Sequence, residues 1–184
     1  MPRVLIPLAQ GCEELEAVTV IDLLRRAGID VVTAGLDDQV VTASRGVRLV
    51  PDAVLADVME EDFDMIVLPG GLPGADHLDE DPRVHALLKS MSDSGRFTAA
   101  ICAAPKVLAS AGLLDDKSAT SYPGVIDAMD LASTRVLQDP VVVDGKVVTS
   151  RGPGTAMDFA LALIEQLLGP EKRLEVEKPL VRPA

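Results

Sequence analysis

The sequence has no tryptophan, and aromatic residues make up only 2% of its 184 positions. It therefore offers no platform on which nucleic-acid bases could stack. Cationic side chains are also scarce: 17 Lys and Arg face 29 Asp and Glu, a formal net charge of -12. That balance works against phosphate backbones and anionic lipid surfaces, so neither nucleic acid nor membrane is expected as a partner. There are two cysteines, Cys12 and Cys102, too few for the disulfide framework of a small secreted domain. The two histidines, His77 and His85, stand outside any Cys/His ligand spacing, so no zinc or other metal is expected. No apolar run reaches the about 18 residues of a membrane span. The apolar stretch from Met1 to Pro7 is too short for a signal peptide, and a cytoplasmic location is expected. No G-x-G-x-x-G follows a strand pattern and no glycine loop ends in G-K-[ST], so no nucleotide cofactor, or any other, is expected.

What is present points to a packed core. The hydrophobic fraction is 48%, which excludes disorder, and chains of about 100–200 residues usually form one domain, here residues 1–184. Short apolar runs at Val4–Leu8, Ile29–Ala34, Met65–Leu68, Thr98–Ile101, Val141–Val143 and Val147–Thr149 read as strands. Val40–Thr42 and Val47–Val50 read as a hairpin around Ser44-Arg45-Gly46, and Ser118–Thr120 and Arg135–Leu137 as further short strands. Asp144-Gly145 marks a two-residue turn. Helical patterns run from Glu13 to Ala27, stopped by Gly28, and over Pro82–Ser94, Ala104–Ala111, Ala156–Leu168 and Glu171–Glu177, with a helical turn at Asp57–Glu61. Strands alternating with helices predict an α/β fold: a mainly parallel central sheet with helices on both faces. Such sheets carry their sites beyond the carboxyl ends of the strands.

One such end holds a cysteine. Phe97–Ile101 leads into Cys102, then Ala103, Ala104 and Pro105. Small neighbours permit a sharp turn, and proline suits the first position of a helix, where its missing N–H would have no partner. A strand, a tight turn and a helix together form a nucleophile elbow, which lifts the side chain above the sheet. N–H groups at the helix start would favour a thiolate and could hold an oxyanion. A buried structural cysteine is the competing reading.

A carboxylate is aimed at the same region. Glu13, Glu14 and Glu16 open the first helix. Glu13 and Glu14 read as partners of the helix dipole. Glu16 shares a helical stripe with Val20, Leu23 and Ala27, while Thr19, Asp22, Arg25 and Arg26 lie opposite. It should point inward, where loss of water raises a carboxyl pKa and fits it for acid/base work.

Other features carry less. The loop Leu68–Gly74 brings glycine N–H groups close to whatever lies beside it. Arg45 and Arg151 each lie in a Ser-Arg-Gly triplet. Either could attract an anionic group, with a surface ion pair the plainer reading. His77 and His85 read as solvated, in or beside a polar helix with Asp79, Glu80 and Asp81. Cys12 reads as a packed thiol, with a redox partnership to Cys102 as the alternative.

Four motifs in order resemble the ThiJ/PfpI superfamily: Gly11–Glu16, Val67–Gly71, Ala99–Pro105 and Thr149–Thr155. They are most similar to the branch of the parkinsonism-associated protein deglycase and its YajL-type bacterial relatives. The resemblance runs to Lys178–Val181. It implies a flavodoxin-like sandwich and a homodimer. It implies that Cys102 is the oxidation-prone nucleophile with Glu16 hydrogen-bonded to it, and that the backbone at Gly71 and Ala103 lines an oxyanion site. Gly70, Arg45, Tyr122 and Arg151 fall at substrate-binding or interface positions: Arg45 near the dimer contact, Arg151 near the site. Ala103 stands where many superfamily members have histidine, which argues against a Cys-His protease. Tyr122 stands where the near branch often has histidine, leaving Glu16 as the main acid/base.

The expected activity is a cofactor-free, cysteine-dependent reaction on 2-oxoaldehydes such as methylglyoxal, free or as early adducts on amines and thiols, giving a 2-hydroxy acid. A non-enzymic redox sensor or stress chaperone is the alternative. A hydratase or amidase-like activity on another small electrophile is a third.

Overall fold

The computed structural model describes residues 1–183. The chain opens with β1 (Arg3–Leu8), α1 (Glu14–Arg26) and β2 (Asp30–Gly35). A small excursion follows, β3 (Val41–Thr42), β4 (Arg48–Leu49) and β5 (Ala53–Val54), then β6 (Met65–Leu68), α2 (Gly74–Glu80), α3 (Pro82–Asp93) and β7 (Phe97–Ile101). The second half holds α4 (Pro105–Ser110), β8 (Ser118–Ala119), β9 (Arg135–Val136), β10 (Val141–Asp144), β11 (Val147–Ser150), α5 (Ala156–Leu168) and α6 (Pro170–Glu177).

Seven strands form one sheet in the order β10-β11-β7-β6-β1-β2-β5. Every pairing is parallel except β10 with β11 at the edge. Successive side chains of a strand face opposite ways, and the burial follows that rule. Val4 and Ile6 of β1, Met65 and Val67 of β6, and Ala99 and Ile101 of β7 meet α1, α5 and α6 on one face. Leu5, Ile66, Leu68 and Ala100 meet α2, α3 and α4 on the other. With both faces covered, the central strands read as near-continuous apolar runs.

The helix boundaries follow from their ends. Glu13 caps α1 with its own carboxylate, and Gly28, at φ +78°, stops it. Asp81 caps α3 by accepting the Arg83 N–H, and Pro82 takes the first helical position.

Several local expectations shift. The two-residue turn of the β10–β11 hairpin is Gly145-Lys146, because Asp144 is drawn into the ladder opposite Val147. The helical turn lies at Leu55–Val58, upstream of Asp57–Glu61, because Leu55 and Val58 supply its buried face. α2 was not legible as a separate helix: its short polar sequence shows only Ala75 and Leu78 to the core. His77 and His85 are half-buried and engaged, His77 Nδ1 with Gln10 O at 3.1 Å and His85 Nε2 with Asp79 O at 2.7 Å. Among the described residues no helix is long and apolar enough to cross a membrane.

Candidate active site

The carboxyl ends of β1, β6 and β7 converge. β1 turns at Gly11-Cys12 into α1, β6 ends in Pro69-Gly70-Gly71, and β7 ends at Cys102. Cys102 takes φ +64°, a left-handed conformation that costs a non-glycine residue roughly 1–3 kcal/mol. The strain is held by its neighbours. The Cys102 N–H donates to Ser150 O at 3.0 Å, and Cys102 O accepts the Tyr122 N–H at 2.9 Å. The side chain is 9% exposed, whereas Cys12 is fully buried.

Glu16 is fully enclosed. Its Oε2 accepts the Gly70 N–H at 2.9 Å. Its Oε1 has no partner of regular geometry, and the carboxyl lies against the Cys102 thiol as a close approach rather than an aligned bond. Gly70 makes this contact possible. A Cβ there would sit 2.6 Å from Cys102 Cβ and 2.7 Å from Glu16 Oε2. Gly71, at φ +86°, passes so close to the first turn of α1 that a Cβ would meet the Glu13 nitrogen at 2.4 Å. In return the Glu13 N–H donates to Gly70 O at 2.9 Å. The loops cross backbone to backbone.

The N–H groups of Gly71 and Ala103 both turn toward the Cys102 sulfur, and neither has a backbone acceptor among the described residues. They are two free donors beside the thiol.

The titration of this pair corrects one expectation. N–H groups at the turn alone would make the thiol acidic. Instead burial, followed by the negative charge of Glu16, pushes the Cys102 thiol up to about 12, against the opposing pull of the Gly71 and Ala103 N–H groups. Burial pushes Glu16 up to about 7. Two acids this close share protons as one unit. When the last proton sits on Glu16, the charge opposing the thiolate is gone and an O–H faces the sulfur. A neutral carboxyl beside a thiolate has the same net charge as a carboxylate beside a thiol, so a single proton can move between the two forms.

The structure thus gathers Cys102, Glu16, Gly70, Gly71 and Ala103. Tyr122 joins through its backbone, while its ring is 52% exposed and lies beside Gly152. Arg151 follows the end of β11. Arg45 is not part of the cluster: its side chain is exposed, and only its backbone N–H is held, by Glu14 at 2.8 Å.

Glu14 is a residue the sequence reading misjudged. It is buried and accepts from Ser44 Oγ at 3.0 Å and from the Arg45 and Val47 N–H groups at 2.8 and 3.4 Å. It clamps the β3–β4 excursion to α1, assisted by the Ser44 N–H, which donates to Cys12 O at 2.8 Å. Among the described residues no three His, Cys, Asp or Glu side chains are grouped to hold a metal ion.

A strained cysteine at a strand end, a buried carboxyl against it and unclaimed N–H groups form a candidate cysteine site on an α/β sheet. Residues 2–166 match the model of the DJ-1/PfpI family. The chain is 47% identical over 181 residues to Protein DJ-1 homolog B of Arabidopsis thaliana, covering 97% of this chain and 41% of the plant protein, so it spans about two-fifths of that relative's length. It is 41% identical over 177 residues to Glutathione-independent glyoxalase DJR-1.2 of Caenorhabditis elegans, covering 96% of this chain and 94% of the worm protein. The crystal structure of Drosophila melanogaster DJ-1beta superposes with a TM-score of 0.95 at 45% identity, covering 100% of this chain and 99% of the fly chain. The chain belongs to the DJ-1/PfpI family, and its fold is the flavodoxin-like sandwich of its structural neighbours.

Proposed function

We propose that this protein is a cofactor-free glyoxalase or deglycase, converting methylglyoxal or its early adducts to a 2-hydroxy acid. The observation that carries the reading is the contact of a fully buried Glu16 with Cys102 beside the free N–H groups of Gly71 and Ala103. The name of the worm relative, a glutathione-independent glyoxalase, supports it.

The chemistry balances without an external oxidant. The Cys102 thiolate adds to the aldehyde carbon, and the oxyanion takes the proton from Glu16 to give a hemithioacetal. The Glu16 carboxylate then removes the hydrogen on that carbon, forming an enediol, and returns a proton to the neighbouring carbon. The former aldehyde carbon is now a thioester carbonyl, oxidised at the expense of the former ketone carbon. Water hydrolyses the thioester to lactate and free Cys102. The free Gly71 and Ala103 N–H groups would stabilise the oxygen that becomes negative in the addition and hydrolysis steps. An amine adduct would follow the same path and release the amine.

The test is methylglyoxal consumption with lactate detection. Lactate from the native protein, none from Cys102→Ser and at least about a hundredfold less from Glu16→Gln is the expected result. No lactate from the reduced native protein overturns the reading.

The same free N–H pair favours a second reading, a redox sensor, since it would also hold the oxygens of a Cys102 sulfinate. Mass spectrometry after mild peroxide decides it: unmodified Cys102 removes this reading.

A further inference from the structure

Arg151 is the only half-buried arginine without an acidic partner among the described residues; the others each meet a carboxylate. Its Nη1 donates to Gln138 O at 3.1 Å, and its remaining guanidinium N–H groups have no acceptor among the described residues. With Ser121, Pro123, Leu137, Gln138 and Asp127 it lines a cavity of about 240 Å³.

The wall of that cavity is built from segments that also hold the Cys102 turn. β11 runs parallel beside β7 with Ser150 opposite Ile101, and neighbouring strands lie about 5 Å apart, so Arg151 leaves the sheet next to Cys102. Ser121 and Pro123 flank Tyr122, whose N–H is bound to Cys102 O. The two segments that grip the Cys102 peptide therefore also form the cavity wall. The one carboxylate in the wall, Asp127, is exposed, accepts the Gly124 N–H at 2.7 Å and makes no ion pair with Arg151. A half-buried cation facing a cavity whose wall segments hold the Cys102 turn can bind an anion, and its planar fork matches a carboxylate.

We propose that Arg151 and this cavity form a subsite for a carboxylate on the ketone side of the substrate. Resting on the aldehyde reading above, this makes carboxylated 2-oxoaldehydes the preferred class. The model substrate is carboxyethylglyoxal, in which a carboxyethyl group replaces the methyl of methylglyoxal, and its product is 2-hydroxyglutarate by the same internal redox exchange.

The experiment has two readouts. Iodoacetamide labelling of Cys102, followed by mass spectrometry of its peptide, is run with and without glutarate on the native protein, Arg151→Met and Arg151→Lys. Glutarate is expected to slow labelling of the native protein, to slow it less in Arg151→Lys and to have no effect in Arg151→Met. No protection of the native protein, equal protection of Arg151→Met, or a Lys variant as unresponsive as Met overturns the subsite. In turnover, the native protein is expected to favour carboxyethylglyoxal over methylglyoxal about tenfold or more in kcat/KM, the worth of one charge-assisted contact, with the preference lost in Arg151→Met. Lactate formation with no such preference overturns the subsite and leaves the aldehyde reading standing. Glutarate protection without turnover of either aldehyde overturns the aldehyde reading and leaves the subsite standing.

Discussion

Glu14 and Glu16 stand two residues apart on α1, both buried, and titrate in opposite directions. Burial pushes each up. At Glu14 its own N–H, the Ser44 hydroxyl and the N–H groups of Val47 and Arg45 outweigh it, and the carboxyl ends below its ordinary value. At Glu16 the Cys102 thiol and the single Gly70 N–H fall short, and the carboxyl stays high. More donors and shallower enclosure together separate the structural clamp Glu14 from the candidate proton carrier Glu16.

The largest expected effect comes from removing the titratable carboxyl of Glu16. Glu16→Gln should lower kcat for methylglyoxal by about 10²–10⁴-fold, the usual worth of a positioned acid/base, while Glu14→Gln should change it far less. Steady-state lactate assays on both variants check this. Next, Gly70→Ala forces a methyl between Cys102 and Glu16. It should cost about 1–3 kcal/mol of stability by overpacking and at least tenfold in rate, read from thermal melts and the same assay.

The pH dependence sharpens the contrast. Glu16 binds its proton more tightly in the folded state, so its stabilising contribution is complete below the unfolded value near 4.5 and is lost as pH rises through about 7. Native protein should therefore lose up to ~3 kcal/mol relative to Glu16→Gln between about pH 5 and 8. Glu14 has the reverse sign. Its contribution is present above the unfolded carboxylate value and fades as pH falls through its depressed one. Glu14→Gln should cost about 1–2 kcal/mol near neutral pH, the worth of hydrogen bonds to a charge, with the difference shrinking in acid. Thermal denaturation across pH tests both signs. The smallest effect concerns the thiols: iodoacetamide should label Cys102, at 9% exposure, and leave the fully buried Cys12 untouched until the protein unfolds.

Much of this was legible in the residues. The apolar runs marked the central strands because a doubly covered sheet buries both faces. Glu16 was legible because 3.6-residue periodicity sets it on the stripe of Val20 and Leu23, and Cys102 because a strand, small residues and a proline follow one another in order. Glu14 was misread because its donors, Ser44, Arg45 and Val47, return from about thirty residues away in sequence, where no local pattern reports them. The acidity of Cys102 was misjudged for a similar reason. The turn's N–H groups are a local feature, whereas enclosure and the facing carboxylate come from β1, α1 and β6. α2 escaped because seven residues, only Ala75 and Leu78 of them apolar side chains in the core, carry too little periodicity to separate from a loop.

The crossing of Gly11–Glu13 against Gly70–Gly74 has a wider consequence. A Cβ at Gly11 would meet the Pro73 ring at 2.5 Å, and one at Gly74 the Cys12 nitrogen at 2.6 Å. The gap between the Cys102 thiol and the Glu16 carboxyl is therefore set mainly by the close backbone crossing and the rigid Pro73 ring, and less by the sizes of flexible neighbouring side chains. The surrounding core can drift through many hydrophobic combinations while the thiol and the carboxyl keep their spacing. The architecture separates what must stay fixed from what is free to change.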